Sequence, residues 1–169
     1  KEVLKRLLEE YRLGATRDDL VVVSPDLGSV TRARKFAERM NTTLAIVDKR
    51  RPRPNVCEVM NIIGDVKGKI AFLVDDMVDT AGSICNAAKA LMEVGGATEV
   101  YACATHGVLS GPAIERITNS CIKEMVLLDT IPEKEGAKDA RITMLPVAPV
   151  FAEAIGRIYE DKPVSPLFG

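Results

Sequence analysis

The chain has 169 residues, a length that suits one domain able to bury about 70% of its unfolded surface. Its composition, 47% hydrophobic and 28% charged with only 4% aromatic and no Trp, reads as a soluble aliphatic globule of the kind built from a parallel sheet packed by helices. A net charge of −1 excludes a global field that would draw in nucleic acid or an anionic membrane, so neither partner is expected and any electropositive function must come from a local cluster. Cys57, Cys85, Cys103 and Cys121 are widely spaced, with no C-x-x-C pair and no adjacent His. They read as buried free thiols in a reducing cytoplasm rather than zinc ligands. No apolar run approaches the roughly 20 residues of a spanning helix and no signal peptide opens the chain, so a cytoplasmic location is expected. Because the sequence begins at Lys1 in what reads as helix, an upstream portion is expected to be absent.

Val3, Leu4, Leu7, Leu8 and Tyr11 recur at helical spacing, and Gly14 supplies a stop, which predicts an amphipathic opening helix. Leu20–Val23 is a β-branched run ending at Ser24-Pro25-Asp26, followed by a helical stretch over about Ser29–Met40. Leu44–Val47 repeats the strand pattern. The next residues, Asp48-Lys49-Arg50-Arg51-Pro52-Arg53-Pro54, read as a stiffened basic loop rather than helix or ordinary strand. A third apolar run, Ile70–Val74, meets Asp75-Asp76, and a helix is predicted over about Ser83–Val94, closed by Gly95-Gly96. Val100–Ala104 and Met125–Leu128 read as buried strands with a helix near Gly111–Ile117 between them, Glu133–Arg141 as a charged surface connection, and Val147–Tyr159 as a last helix. Apolar strands alternating with helices predict a three-layer α/β domain over 1–169, with a largely parallel sheet covered on both faces. Ligands of such sheets bind beyond the carboxyl ends of the strands.

The strongest chemical signal lies in Asp75-Asp76-Met77-Val78-Asp79-Thr80-Ala81-Gly82-Ser83. Adjacent carboxylates at a strand end point to opposite sides, so they can reach different sugar hydroxyls or a cation. Thr80, Ala81, Gly82 and Ser83 form a small-residue turn at a helix start, where backbone N–H groups and the helix dipole favour phosphate. Sugar acceptors beside a phosphate cradle suggest a sugar phosphate. A plainer reading has Asp79 or Thr80 capping the helix while Asp75 and Asp76 face water. This segment resembles the phosphoribosyl-diphosphate loop of the phosphoribosyltransferase superfamily, in which paired acids hold the ribose hydroxyls and the turn holds the 5-phosphate.

Lys49-Arg50-Arg51-Pro52-Arg53-Pro54-Asn55-Val56 further resembles the flexible catalytic loop of ribose-phosphate diphosphokinases, and Ser24-Pro25-Asp26 their metal-contacting loop. Ala104–Gly111 and the ending Ser165-Pro166-Leu167-Phe168 are similar to the same family, so the resemblance spans nearly the whole chain. It implies a phosphoribosyltransferase-like fold and transfer of diphosphate from MgATP to ribose 5-phosphate, giving phosphoribosyl diphosphate and AMP. It also implies a homo-oligomer of dimers within a hexamer, and a chain that is the carboxy-terminal half, with the ATP-binding half absent and little activity alone. By resemblance Lys49 and Arg51 are catalytic, which suits the charge that develops on phosphate oxygens during transfer. Arg51, Asp75, Asp76, Asp79, Thr80, Ala81, Gly82 and Ser83 would bind ribose 5-phosphate, and Asp26 would hold Mg2+. A solvated basic turn is the plain alternative for the loop, and a helix N-cap for Asp26. His106, the only histidine, reads as structural or substrate-adjacent, and Arg32 and Arg34 as surface or subunit pairs. The chain departs from the family at Ser29 and Gly107, where Gly and Pro are usual. A non-catalytic synthetase-associated regulatory protein and a base-adding phosphoribosyltransferase are the competing readings.

Overall fold

In a computed structural model, which describes residues 17–50 and 59–167, the first β-branched run becomes β1 (Leu20–Ser24), buried along its whole length. The opening helix expected from Val3 to Tyr11 lies outside the described residues. Next comes α1 (Val30–Met40), which turns Ala33 and Ala37 inward and stops at Asn41. Asn41 takes a left-handed conformation at φ 51° while its N–H and that of Thr42 bond back to the last helical carbonyls. The elements that follow are β2 (Thr43–Arg50), β3 (Val59–Ile63), β4 (Ile70–Val78), α2 (Gly82–Glu93), β5 (Glu99–Gly107), α3 (Ala113–Thr118), β6 (Ile122–Leu128), β7 (Ile142–Leu145) and α4 (Ala148–Tyr159).

The seven strands form one sheet in the order β3-β2-β1-β4-β5-β6-β7, parallel throughout except for the antiparallel β2–β3 pair. Each face carries its own core. On one side Leu20, Val22, Phe72, Val74 and Tyr101 meet Ala33 and Ala37 of α1, with the Phe72 and Tyr101 rings stacked at 5.4 Å across neighbouring strands. On the other, Val21, Val23 and Leu73 meet Ile84 and Leu91 of α2 and Ile117 of α3. Alternation along each strand sends successive apolar side chains to opposite cores, which is why the strands read as unbroken apolar runs. The expected three-layer α/β architecture is therefore the observed one.

Three features differ from the expectation. Asp48, Lys49 and Arg50 are not loop but the end of β2, paired with Asn61, Met60 and Val59 of β3; Arg51–Pro54 lie outside the described residues. Neither β3 nor β7 was foreseen. The strands β4 and β5 also run further than their apolar cores, so that Asp75 and Asp76 sit inside β4, and His106 inside β5 opposite Met77. α4 has no buried residue and turns Phe151, Ile155 and Ile158 outward.

Candidate functional site

Strand order reverses between β1 and β4: chain order runs outward from β1 to β3 on one side and from β4 to β7 on the other. In open α/β sheets a crevice opens beyond the carboxyl ends of two such strands. A cavity of about 180 Å³ lies there, lined by Asp26, Asp75 and residues 77–84. The sequence motifs of β1 and β4 thus converge at one place.

Asp26 reaches the crevice through the turn after β1. The buried Ser24 hydroxyl donates to the Asp26 carbonyl at 2.7 Å, and Asp26 Oδ1 accepts the Ser29 N–H at 2.8 Å. That bond closes the turn ahead of the helix, whose cap position is Ser29 with no side-chain cap bond, so Asp26 is not the helix N-cap of the plain alternative, and the second carboxylate oxygen of this exposed residue is left for other donors. Ser29, the residue before α1, does not use its hydroxyl as a cap; it donates instead to Asp75 Oδ1 at 2.9 Å.

Asp75 lines that cavity and Asp76 does not, yet one side chain reaches both. Asp75 Oδ1 accepts the Asp76 N–H at 2.9 Å, and Arg32, one turn into α1, spans both carboxylates, with Nη2 2.7 Å from Asp76 Oδ2 and Nη1 3.5 Å from Asp75 Oδ1. Arg32 is therefore part of this cluster rather than an ordinary surface pair. Ser29 and Arg32 stand three apart, which places them on one side of the first turn of α1. That spacing was visible in the sequence, but what they face depends on β4 lying beside β1. Burial pushes the Asp75 carboxyl above its ordinary value of 3.8, against the pull of the Asp76 N–H and the Ser29 hydroxyl. For Asp76, desolvation is the largest single influence and opposes ionisation, but the hydrogen bond with Asp75, the Arg32 guanidinium and the backbone N–H groups of Asp76 and Met77 together outweigh it, so its carboxyl falls below 3.8. The pair is thus split, with one acid readily ionised and the other holding its proton longer.

The turn after β4 leads straight into α2, with Ala81 left-handed at φ 59°. Neither Asp79 nor Thr80 caps the helix, since Ala81 occupies the cap position and no side-chain cap bond forms. The Ala104–Gly111 segment braces this turn: Leu109 N–H bonds to the Val78 carbonyl at 3.0 Å and Ser110 N–H to the Asp79 carbonyl at 2.9 Å. His106 Nδ1 lies 2.8 Å from Thr130 Oγ1, which also donates to the Thr105 carbonyl at 3.0 Å. With its one hydroxyl proton so used, Thr130 accepts from His106, so Nδ1 carries the ring proton. Gly107 is a paired residue of β5 whose added Cβ would come within 2.5 Å of Leu127 Cδ1.

The structure brings together Asp26, Asp75, Asp79, Thr80, Ala81, Gly82 and Ser83 around one cavity, with Asp76 joined to them through Arg32. Lys49 stands on β2 opposite Met60, two strands from β4, and Arg51 lies outside the described residues. Three cysteines are free thiols among the described residues. Burial pushes Cys103 up to about 12, as befits a small apolar filler.

The family model described as "Phosphoribosyl synthetase-associated domain" matches residues 51–169. A ribose-phosphate pyrophosphokinase of Clostridium acetobutylicum is 66% identical over 151 residues, covering 89% of this chain and 47% of the relative. That of Bacillus subtilis is 57% identical over 162 residues, covering 96% and 51%. The crystal structure of phosphoribosylpyrophosphate synthetase from Mycobacterium smegmatis superposes with a TM-score of 0.77 at 38% identity, covering 93% of this chain and 51% of that one. The chain spans about half the length of the relatives it matches.

Proposed function

Because the chain belongs to the phosphoribosyl synthetase-associated domain family, we propose that it is the ribose 5-phosphate-binding, carboxy-terminal half of a ribose-phosphate diphosphokinase. The observation that carries this reading is the meeting of a paired-carboxylate cluster and a helix-start turn in one crevice at the sheet's switch point. Carboxylates accept hydrogen bonds from sugar hydroxyls, and backbone N–H groups at a helix start hold phosphate. In this reading Asp75 and Asp76 take the ribose hydroxyls in company with Arg32, while Asp79, Thr80, Ala81, Gly82 and Ser83 surround the 5-phosphate.

In the whole enzyme the ribose 1-hydroxyl oxygen forms a bond to the β-phosphorus of ATP and gives up its proton to water, the bond from that phosphorus to the α,β-bridging oxygen breaks, and AMP leaves. Lys49 and Arg51 supply positive charge to phosphate oxygens as this happens. Asp26 fits a magnesium site, because it offers a hard oxygen beyond the one bound to Ser29 N–H and magnesium takes few protein oxygens. Magnesium bound there would neutralise phosphate charge. Turnover requires the ATP-binding half that the relatives' greater length accommodates, and the assembled protein is a homo-oligomer, dimers within a hexamer. A cytoplasmic location belongs to the same reading, and among the described residues no helix is long and apolar enough to cross a membrane.

The test is calorimetric titration of ribose 5-phosphate with and without magnesium. Asp75→Asn is expected to weaken binding about tenfold or more, the scale of a lost hydrogen bond to a charged group. Lys49→Ala is expected to leave affinity nearly unchanged, because charge developing in the transition state is what Lys49 meets. Equal affinity of Asp75→Asn and the parent removes the assignment.

A further inference from the structure

Behind the turn at the start of α2, on the side of the helices, lies a separate groove of about 700 Å³ between α2 and α3. Gly82 and Arg116 both border it. Arg116 reaches 36 residues back along the chain, its Nη1 donating to the Thr80 carbonyl at 2.9 Å. The guanidinium lies close enough that a Cβ on Gly82 would be 3.4 Å from Nη1. The contact is therefore made to backbone at the centre of the turn.

Its consequence follows from peptide geometry. Among the described residues there is no cis peptide bond, and in a planar trans peptide the carbonyl and the following N–H point in opposite directions. Fixing the Thr80 oxygen toward Arg116 turns the Ala81 N–H away from the groove and toward the crevice that Thr80, Ala81 and Gly82 line from the other side. The arrangement has a cost, because Ala81 holds a left-handed backbone at φ 59° without being glycine. A charged donor on the Thr80 oxygen opposes relaxation of that peptide. It also polarises the amide so that its N–H is a stronger donor.

We infer that Arg116 is a positioning residue for anion binding, fixing the Thr80–Ala81 peptide from behind so that the Ala81 N–H is presented to the 5-phosphate. This rests on the ribose 5-phosphate reading of the crevice. Arg116 itself does not touch the ligand; the groove side of the turn separates them.

The experiment is amide NMR of the ¹⁵N-labelled chain during titration with ribose 5-phosphate and, separately, with ribose. In the parent the Ala81 amide proton moves downfield with ribose 5-phosphate and far less with ribose. Arg116→Met removes the donor while keeping an aliphatic stem; its affinity for ribose 5-phosphate falls about tenfold and the Ala81 response is lost. Arg116→Lys restores most of both, because a lysine can donate to the same carbonyl. A purely structural role predicts instead that ribose and ribose 5-phosphate responses decline together and that Lys rescues neither selectively. If Arg116→Met does not fold, the parent decides: ribose 5-phosphate binding without an Ala81 shift overturns the inference while leaving the crevice assigned. Retention of parental affinity and Ala81 response in Arg116→Met does the same. Absence of any ribose 5-phosphate binding to the parent overturns the reading of the crevice and this inference with it.

Discussion

Asp75 and Asp76 are neighbours with opposite titration behaviour, and the difference is one of surroundings. The Asp75 side chain is 16% exposed and Asp76 56%, so burial dominates the first, and the Asp75 hydrogen bond, Arg32 and the backbone N–H groups together outweigh it for the second. Carboxyl carbon shifts followed by NMR should therefore show Asp75 titrating above 3.8 and Asp76 below it. The signs for stability are opposite. Folding binds the Asp75 proton more tightly than the unfolded chain does, so its contribution falls as pH rises from 3.8 through its folded value; Asp76 contributes fully above 3.8 and loses that contribution as pH falls through its own. If the proposed ribose binding needs Asp75 ionised, it should weaken as pH falls at a higher pH than an ordinary carboxylate would allow. Replacing Arg32 with Met should raise Asp76 toward its usual value, and an unmoved Asp76 titration would show that the guanidinium has no such effect. At this scale the sequence revealed the adjacent acids and the small-residue turn that follows them. It could not show that Ser29 and Arg32 face them, because those contacts join α1 to β4 across more than forty positions.

Elements were legible where one period ran uninterrupted. β1, α1 and α2 follow from apolar spacing and, for α2, from the Gly95-Gly96 stop. The β2–β3 hairpin was hidden because Pro52, Pro54 and a cluster of cations argue against strand, yet the paired residues end at Arg50 and resume at Val59, so no proline interrupts the ladder. β7 escaped because it has four residues on the sheet's edge, three of them half-buried, too short for alternation to speak. The end of β3 offers a test of how tightly this hairpin sits. Gly64 has φ 112°, and an added Cβ would lie 2.9 Å from Ala45 Cβ and 3.0 Å from its Cα. Gly64→Ala should cost at least about 2 kcal/mol in urea unfolding, combining backbone strain with overpacking. Gly68→Ala, at φ 74° with nothing within 4 Å, should cost only about 1 kcal/mol. Equal losses would mean that the contact with β2 is looser than described.

Across the whole molecule, stability should follow the two cores rather than the apolar content of each helix. Leu73 is fully buried between β4 and α2, so Leu73→Ala should destabilise the chain by about 2–5 kcal/mol. Ile155 on α4 is 66% exposed, and Ile155→Ala should change stability by less than about 1 kcal/mol. Thermal or urea unfolding of the two variants checks the contrast, and a comparable loss at Ile155 would require a cover over α4 in solution. The sequence by itself determined the α/β class, most of the strands and helices, and the acidic and small-residue chemistry of the β4–α2 segment. These are local properties, written in period, turn residues and side-chain type. Only the tertiary structure decided strand order, and with it the crevice between β1 and β4, the clasp of Arg32 on two carboxylates and the reach of Arg116 to the Thr80 carbonyl. Such contacts depend on which distant segments lie side by side, and periodicity along one chain carries no record of that.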